Sequence, residues 1–403
     1  MNAITRTLGL LTSLFILASA CRSATPIANV APTSAQGCNL PPNAPAASAG
    51  FTAFANYSWT LFQALNWPVV TGQRGVPDCG RPIGSAGPTV WESYKTVEQI
   101  FLPNAVDPGP WNSGGAQVMR LTFRSKAPDQ LPLEAAIAQA VGGWLIDRQA
   151  NPTYYQVAVN ETSYQYVRDN RYYDANVLNR ATRIQFGDGA LEVKGAWRIV
   201  QGAETSRYHT VAAQVMTFDA SGQPTGQYKS ATVGLVGLHI IYKAPGFPQW
   251  TWATFEHVDN APDASNATGT WSYFNPSCTG PFCAPNISPL VLHAPFGTPN
   301  QVTRLSPIRP EITAANTAWQ ARLNTTPFQY YRLISPQWPS DPQNPGNPQG
   351  TPTPGTVANV TLESYVQPTS SCMDCHSTAR VPNNSVKTNY SFIFLFAQPG
   401  GSR

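Results

Sequence analysis

The sequence predicts a mainly β fold: a sandwich-like antiparallel body with a few short helices, followed by a small C-terminal segment. Three observations point there. Charged residues make up only 11% of the 403 positions, against about 25% in an ordinary soluble domain. Their place is taken by Ser, Thr, Asn, Gln, 30 glycines and 38 prolines, the residues that build turns and ordered loops. Between residues 117 and 335 the apolar residues mostly alternate, with the period-two pattern of strands. A hydrophobic fraction of 42% is enough for a sizeable core. The net charge of +4 is spread without clusters, so there is no basic stripe of the kind nucleic-acid binding needs.

The elements follow in order. Residues 1–20 read as a signal peptide: Arg6 gives a positive start, Leu8 to Leu17 an apolar stretch, and Ala18-Ser19-Ala20 a small-residue cleavage site. That apolar stretch is too short to span a bilayer as a helix. Cys21 follows directly, and Leu17-Ala18-Ser19-Ala20-Cys21 resembles a bacterial lipobox. The expectation is an exported protein, periplasmic or anchored in the outer membrane of a Gram-negative bacterium by a lipid on Cys21. Residues 21–48, rich in Ala, Pro and Ser, read as a tether. The β-rich body is expected over 49–334.

Within it, Phe51, Phe54, Ala55, Ser58, Phe62 and Leu65 recur at helical spacing until Pro68. A second, Ala-rich helix is expected at Leu133 to Val141. Gln117 to Phe123 and Leu191 to Ile199 alternate as strands. Val233 to Tyr242 is apolar on both faces, as a strand covered on both sides would be. Trp250 to Val258 follows a Pro-Gly-Phe-Pro turn and completes a hairpin. Residues 335–356 hold seven prolines and read as an extended arm, unsuited to a helix or a central strand. The last segment, 357–403, opens with an expected short helix at Val360 to Val366. An apolar run, Tyr390 to Phe396, lies near its end.

The C-terminal segment carries the chemistry, in Cys372-Met373-Asp374-Cys375-His376. Two cysteines three apart can each add to one vinyl group of a protoporphyrin, and the following histidine is then held beneath the iron. Chance order of the residues would give the pattern in about 0.15% of chains of this composition. A thioredoxin-like Cys-x-x-Cys would follow a strand of a βαβ unit, and a zinc site needs two further ligands. The expectation is one covalent c-type haem (heme c), held by Cys372 and Cys375, with His376 as the proximal iron ligand.

The remaining cysteines fit this compartment. With Cys21 lipidated and the motif thiols on haem, four are left. Cys278 and Cys283 flank a turn-rich tetrapeptide, which leaves Cys38 and Cys79 for each other.

The sixth iron ligand must come from elsewhere, because no Met or His follows His376. His239 is the leading distal candidate, in the middle of an apolar strand, where a buried imidazole needs a partner. Gly237 on the same face leaves room beside it. Met119 shares a face with Leu121 and Phe123 and reads as core. Met216 lies on a more polar face. His209 and His293 sit near turns and read as surface residues. Lys387 is a further possibility. Glu256 shares a face with Trp250, Trp252 and Thr254. It reads either as a structural acceptor for Lys243 or an arginine, or as a catalytic acid/base if a reacting group sits against that hairpin.

Several stretches together resemble a family of large bacterial mono-haem cytochrome c-like proteins. They are Ala64 to Pro68, Val90 to Lys95, Glu192 to Trp197, Gly234 to Lys243, Trp252 to Asn260 and Ser371 to His376. The resemblance implies haem binding and electron transfer with a redox partner protein, and brings no substrate. Three functions are consistent with these residues. The first is an envelope electron carrier. The second is a haem enzyme of oxygenase or peroxidase type, acting on a small-molecule substrate at an open sixth position. The third is a binding protein with haem as a staple.

Overall fold

The structure, a computed structural model, describes residues 37–114, 118–122, 143–264, 267–343 and 351–401. All of them belong to one compact unit, Thr33–Arg403. Among the described residues, nine strands form one sheet: β1 (Lys95–Thr96), β2 (Met119–Leu121), β3 (Tyr154–Val159), β4 (Leu191–Ile199), β5 (Thr210–Phe218), β6 (Pro224–Tyr242), β7 (Thr251–His257), β8 (Tyr331–Pro339) and β9 (Pro352–Thr353). The order is β1-β3-β4-β6-β7-β8-β9, and β5 joins β6 to β2. Every pairing is antiparallel except β2 with β5. Strand β6 is long enough to serve two neighbours on one side: its first half pairs with β5 and its second half with β7.

Helices α1 (Gly50–Leu65), α2 (Val97–Ile100), α3 (Glu161–Asp169), α4 (Ala175–Leu178), α5 (Pro310–Arg322) and α6 (Cys372–His376) surround the sheet. The period-3.6 apolar stripe of α1 forms as expected and buries Phe54, Trp59 and Phe62. Phe62 stacks on Phe255 of β7 at 4.4 Å, and Trp59 stacks on Trp319 of α5 at 5.9 Å. Burying a side chain of this size contributes about 1.5–3 kcal/mol. Asn316 of α5 accepts from Trp59 Nε1 and Leu333 N–H at 2.9 Å each, and donates to the Leu333 carbonyl. A helix thus covers backbone of the outer strand β8 that would otherwise be open to pairing.

Register assigns each face. Val193, Leu238, Phe255 and Leu333 meet α1 and the aromatic core. Glu192, Lys194, Gly237, His239, Trp252, Thr254, Glu256, Ser335 and Gln337 fall on the opposite face. The C-terminal segment lies across that second face. Asn359 donates to Thr254 Oγ1 and to the Phe255 carbonyl at 2.9 Å each, Val360 N–H donates to Glu256 at 2.6 Å, and Met373 N–H donates to Gln337 at 2.8 Å.

The expected sandwich is therefore corrected to one sheet. Strands that read as buried on both sides are covered by helices on one face and by an irregular polar segment on the other. Leu191 to Ile199 forms β4, and Val233 to Tyr242 pairs with β7 as the expected hairpin. Of the Gln117 to Phe123 strand, Met119–Leu121 is present, with Gln117 and Phe123 outside the described residues. The Leu133 to Val141 helix also lies outside them, as does Cys21.

Three further differences have clear causes. Residues 335–339 continue β8 instead of starting an arm; Pro336 is tolerated because β8 is the outermost long strand and bulges beside Phe255. Val360 to Val366 is a run of turns instead of a helix. The Asn359 carboxamide accepts from both the N–H and the hydroxyl of Thr361, and Ser364 bonds back to the Val360 carbonyl, local bonds that compete with helix. The end of the expected tether is pinned: Cys38 is buried and bonded to Cys79, and Ala47 accepts from Trp338 Nε1 at 3.0 Å. Both expected disulfides, Cys38–Cys79 and Cys278–Cys283, are present. No helix among the described residues is long and apolar enough to cross a membrane.

Candidate functional site

The motif forms one helical turn, α6, docked on β8. Ser371 caps it, its hydroxyl accepting from Asp374 N–H at 3.3 Å. Fully buried Gln337 then fixes the turn to the sheet: its oxygen accepts from Met373 N–H, and its amide donates to Ser371 Oγ at 3.2 Å and to the Pro354 carbonyl at 2.7 Å. Met373 points into the core. Cys375 is exposed, Cys372 is partly buried against the core, and both are free thiols.

His376 is oriented by its first ring nitrogen. Nδ1 lies 2.6 Å from the Tyr390 carbonyl. That carbonyl is presented by a turn in which Asn389 and Tyr390 have φ of 52° and 68°, a left-handed conformation that non-glycine residues hold only when the surroundings enforce it. Trp250 supplies part of that enforcement by donating from Nε1 to the Asn389 carbonyl at 2.9 Å. The ring sits between Phe392 at 4.9 Å and Trp252 at 6.3 Å. With Nδ1 engaged, Nε2 is the nitrogen left for a metal.

One row along the sheet, about 7 Å away at two residues per step, lies a charged group that the motif does not reveal. Lys194 of β4, His239 of β6 and Thr254 of β7 are directly opposite one another. The row of Trp252 and Gln337, which holds α6, is the next on the same face. Glu363, from the turn run after Asn359, reaches down onto it. Its Oε2 is 3.5 Å from His239 Nε2 and accepts from Asn359 N–H at 2.9 Å. His239 Nε2 is buried and makes no hydrogen bond. Trp252 Nε1 and the Tyr390 hydroxyl, near His376, are likewise buried without a partner.

The electrostatics follow. Burial, with the positive charges of His239 and Lys194, pushes His376 down to about 4 although the Tyr390 carbonyl opposes this. At neutral pH the ring is the uncharged form that binds a metal. Burial raises the Cys372 thiol, and the Glu363 charge adds to it; Cys375 is raised by the same causes, with Lys194 opposing. Burial pushes Lys194 down to about 8 against the pull of Glu363. Glu363 is itself burdened by burial, yet His239, Asn359 N–H and Lys194 together bring it below its ordinary value.

The other sequence candidates fall elsewhere. Glu256 has no solvent exposure, and its two oxygens are taken by Arg304 and by Val360 N–H. It is a structural acceptor with an arginine, and Lys243 instead donates to the Phe186 carbonyl at 2.6 Å. The room beside Gly237 is filled, since a Cβ there would collide with Thr361 Oγ1. His209 is a half-buried partner of Glu92 at 2.5 Å instead of a surface residue, whereas His293 is exposed. Met119 and Met216 are on β2 and β5, away from α6. Lys387 donates to the Ser377 carbonyl. Tyr390 to Phe396 packs on the body, with Phe394 5.8 Å from Phe186.

Sequence reading missed Lys194 and Glu363. The signal for Lys194 was its place opposite the apolar face of β4, a position that an antiparallel sheet ordinarily turns to water. Glu363 carried no signal, because it reaches the sheet from an irregular turn.

Among the described residues no three His, Cys, Asp or Glu side chains are arranged to chelate a bare ion. The donor set fits a covalent haem better: two free thiols and an oriented neutral imidazole on one turn, next to buried polar atoms that lack partners. The chain matches no family, no curated protein and no solved structure with which it was compared.

Proposed function

We propose that the chain is an exported c-type cytochrome. It holds one haem through thioethers to Cys372 and Cys375, with His376 as an iron ligand, and transfers electrons to a redox partner protein in the cell envelope. The compartment, the lipid anchor at Cys21 and kinship with large mono-haem cytochrome c-like proteins are parts of the same reading. They rest on the N-terminal pattern and on the stretches named above. The observation that carries the proposal is the His376 ring, tied at Nδ1 to the Tyr390 carbonyl on the same turn as two thiols that are not bonded to each other. Nothing in the core requires that arrangement, whereas an iron ligand does.

Haem bound there supplies an iron that accepts and returns one electron. The protein's own part is positional. Tyr390 holds the tautomer and plane of His376, Trp252 and Phe392 keep water from the ring, and Gln337 locks the turn to the sheet. The uncharged state of His376 leaves it ready to bind without first losing a proton.

A second reading, a haem enzyme of oxygenase or peroxidase type with a small-molecule substrate, is favoured by Lys194, His239 and Glu363. A carboxylate and an imidazole this close to the motif could pass a proton to a bound ligand.

The test is to express the chain with periplasmic haem-attachment machinery and measure pyridine haemochrome. One covalent haem per chain is expected, with complete loss in C372S/C375S. A wild-type chain that matures without haem overturns the proposal. Carbon monoxide then separates the two readings: an unmoved low-spin spectrum supports the carrier, and a clear shift supports the enzyme.

A further inference from the structure

We infer that His239, through Nε2, occupies the sixth iron position, with the Glu363 carboxylate beside that nitrogen as the charge that tunes the site. The inference rests on the haem reading and goes beyond it.

The other histidines, with Lys387 and Met373, are each placed elsewhere in the fold. His209 is bound to Glu92. His257 has both ring nitrogens engaged, Nε2 with the Arg207 carbonyl at 3.0 Å and Nδ1 with Asp259 N–H at 3.1 Å. His293 is exposed on a turn. Lys387 is bonded to Ser377, and Met373 is in the core on the far side of the motif turn. Among the described histidines, only His239 has a buried ring nitrogen with no hydrogen bond. A buried imidazole nitrogen without a hydrogen bond is unfavourable, and a metal bond would satisfy it.

Place supports the same residue. His239 stands one row from Trp252, whose ring flanks His376, and on the face that α6 covers. The strand is rigid there, paired on one side to β4 and on the other to β7, so the ring is presented from a fixed floor. Glu363 is held by Asn359 N–H, and Asn359 is held in turn by Thr254 and Phe255. The carboxylate is therefore oriented independently of His239, with its charge 3.5 Å from Nε2. Lys194, opposite His239, offsets its negative charge.

The experiment uses the mature, haem-loaded chain. Near-infrared magnetic circular dichroism of the oxidised wild type needs no variant: a bis-histidine band supports the inference, and a histidine–methionine, histidine–lysine or high-spin signature overturns it. His239→Ala should then become high-spin and bind carbon monoxide, and added imidazole should restore the low-spin spectrum. An unchanged low-spin spectrum in that variant also overturns it. Glu363→Gln, which keeps shape and loses charge, should retain bis-histidine ligation with a raised reduction potential. An unmoved potential removes Glu363 from the assignment. A wild type without covalent haem would instead sink the underlying function, so the two failures are separable.

Discussion

His257 shows how one side chain can make this protein sensitive to acid. It has no solvent exposure, stacks on Tyr208 at 3.8 Å, and donates from one ring nitrogen while accepting at the other. Burial pushes its pKa from 6.5 down to about 4. The sign follows from the neutral form being the folded one. This contribution is fully present above pH 6.5 and is lost as pH falls from there through 4, to a total of about 3 kcal/mol. Urea midpoints of wild type and H257Q between pH 7 and 4 check it: the wild type should lose its advantage over the variant across that window. A gap that stays constant would refute it. At this scale the sequence was legible only where chemistry is local. Cys372, Cys375 and His376 declare themselves by spacing, because one helical turn fixes their geometry. Lys194, His239 and Glu363 meet only through strand register and a turn, so their proximity could not be read from the chain. Glu256 shows the reverse case, a residue whose neighbours were named correctly and whose arginine partner lay in a distant loop.

At the scale of elements, the two disulfides should be unequal. Cys38–Cys79 closes a loop with a separation of 41 residues and holds the segment before α1 against the body, whereas Cys278–Cys283 spans 5. Loop-closure entropy gives about 4 kcal/mol for the first and about 2 kcal/mol for the second. Thermal melts of C38A/C79A and C278A/C283A should show the larger fall in the first pair; equal falls would mean that unfolded-state entropy is not the main effect. Elements with a clean period were read correctly: α1 by its apolar stripe, β4 by alternation, and the second half of β6 with β7 by an apolar run and a turn. Elements that follow tertiary need were not. Val360 to Val366 has apolar spacing compatible with a helix, but Asn359 uses its side chain to bridge to the sheet and Thr361 bonds back to Asn359. Pro336 argued against a strand, and an outer strand with a bulge accommodated it.

For the whole molecule, the distinction between body and C-terminal segment dissolves. Asn359, Val360, Ser371 and Met373 satisfy Thr254, Phe255, Glu256 and Gln337. Each buried group left bare costs about 1–3 kcal/mol, and four or more together rival the total stability of a typical domain, about 5–15 kcal/mol. A chain ending at residue 356 should therefore fail to give a cooperative melt, and recovery of the full-length melting temperature would contradict this. The sandwich expectation failed at the same scale, because a strand covered on both sides looks alike whether its second cover is a sheet or a polar segment. The polar face of the sheet also has a consequence in time. Its partners, Asn359 to Met373, follow every strand of the sheet in the chain, so that face cannot be covered until they have been made. The docking of that segment on Thr254, Glu256 and Gln337 is then the step that completes the buried face.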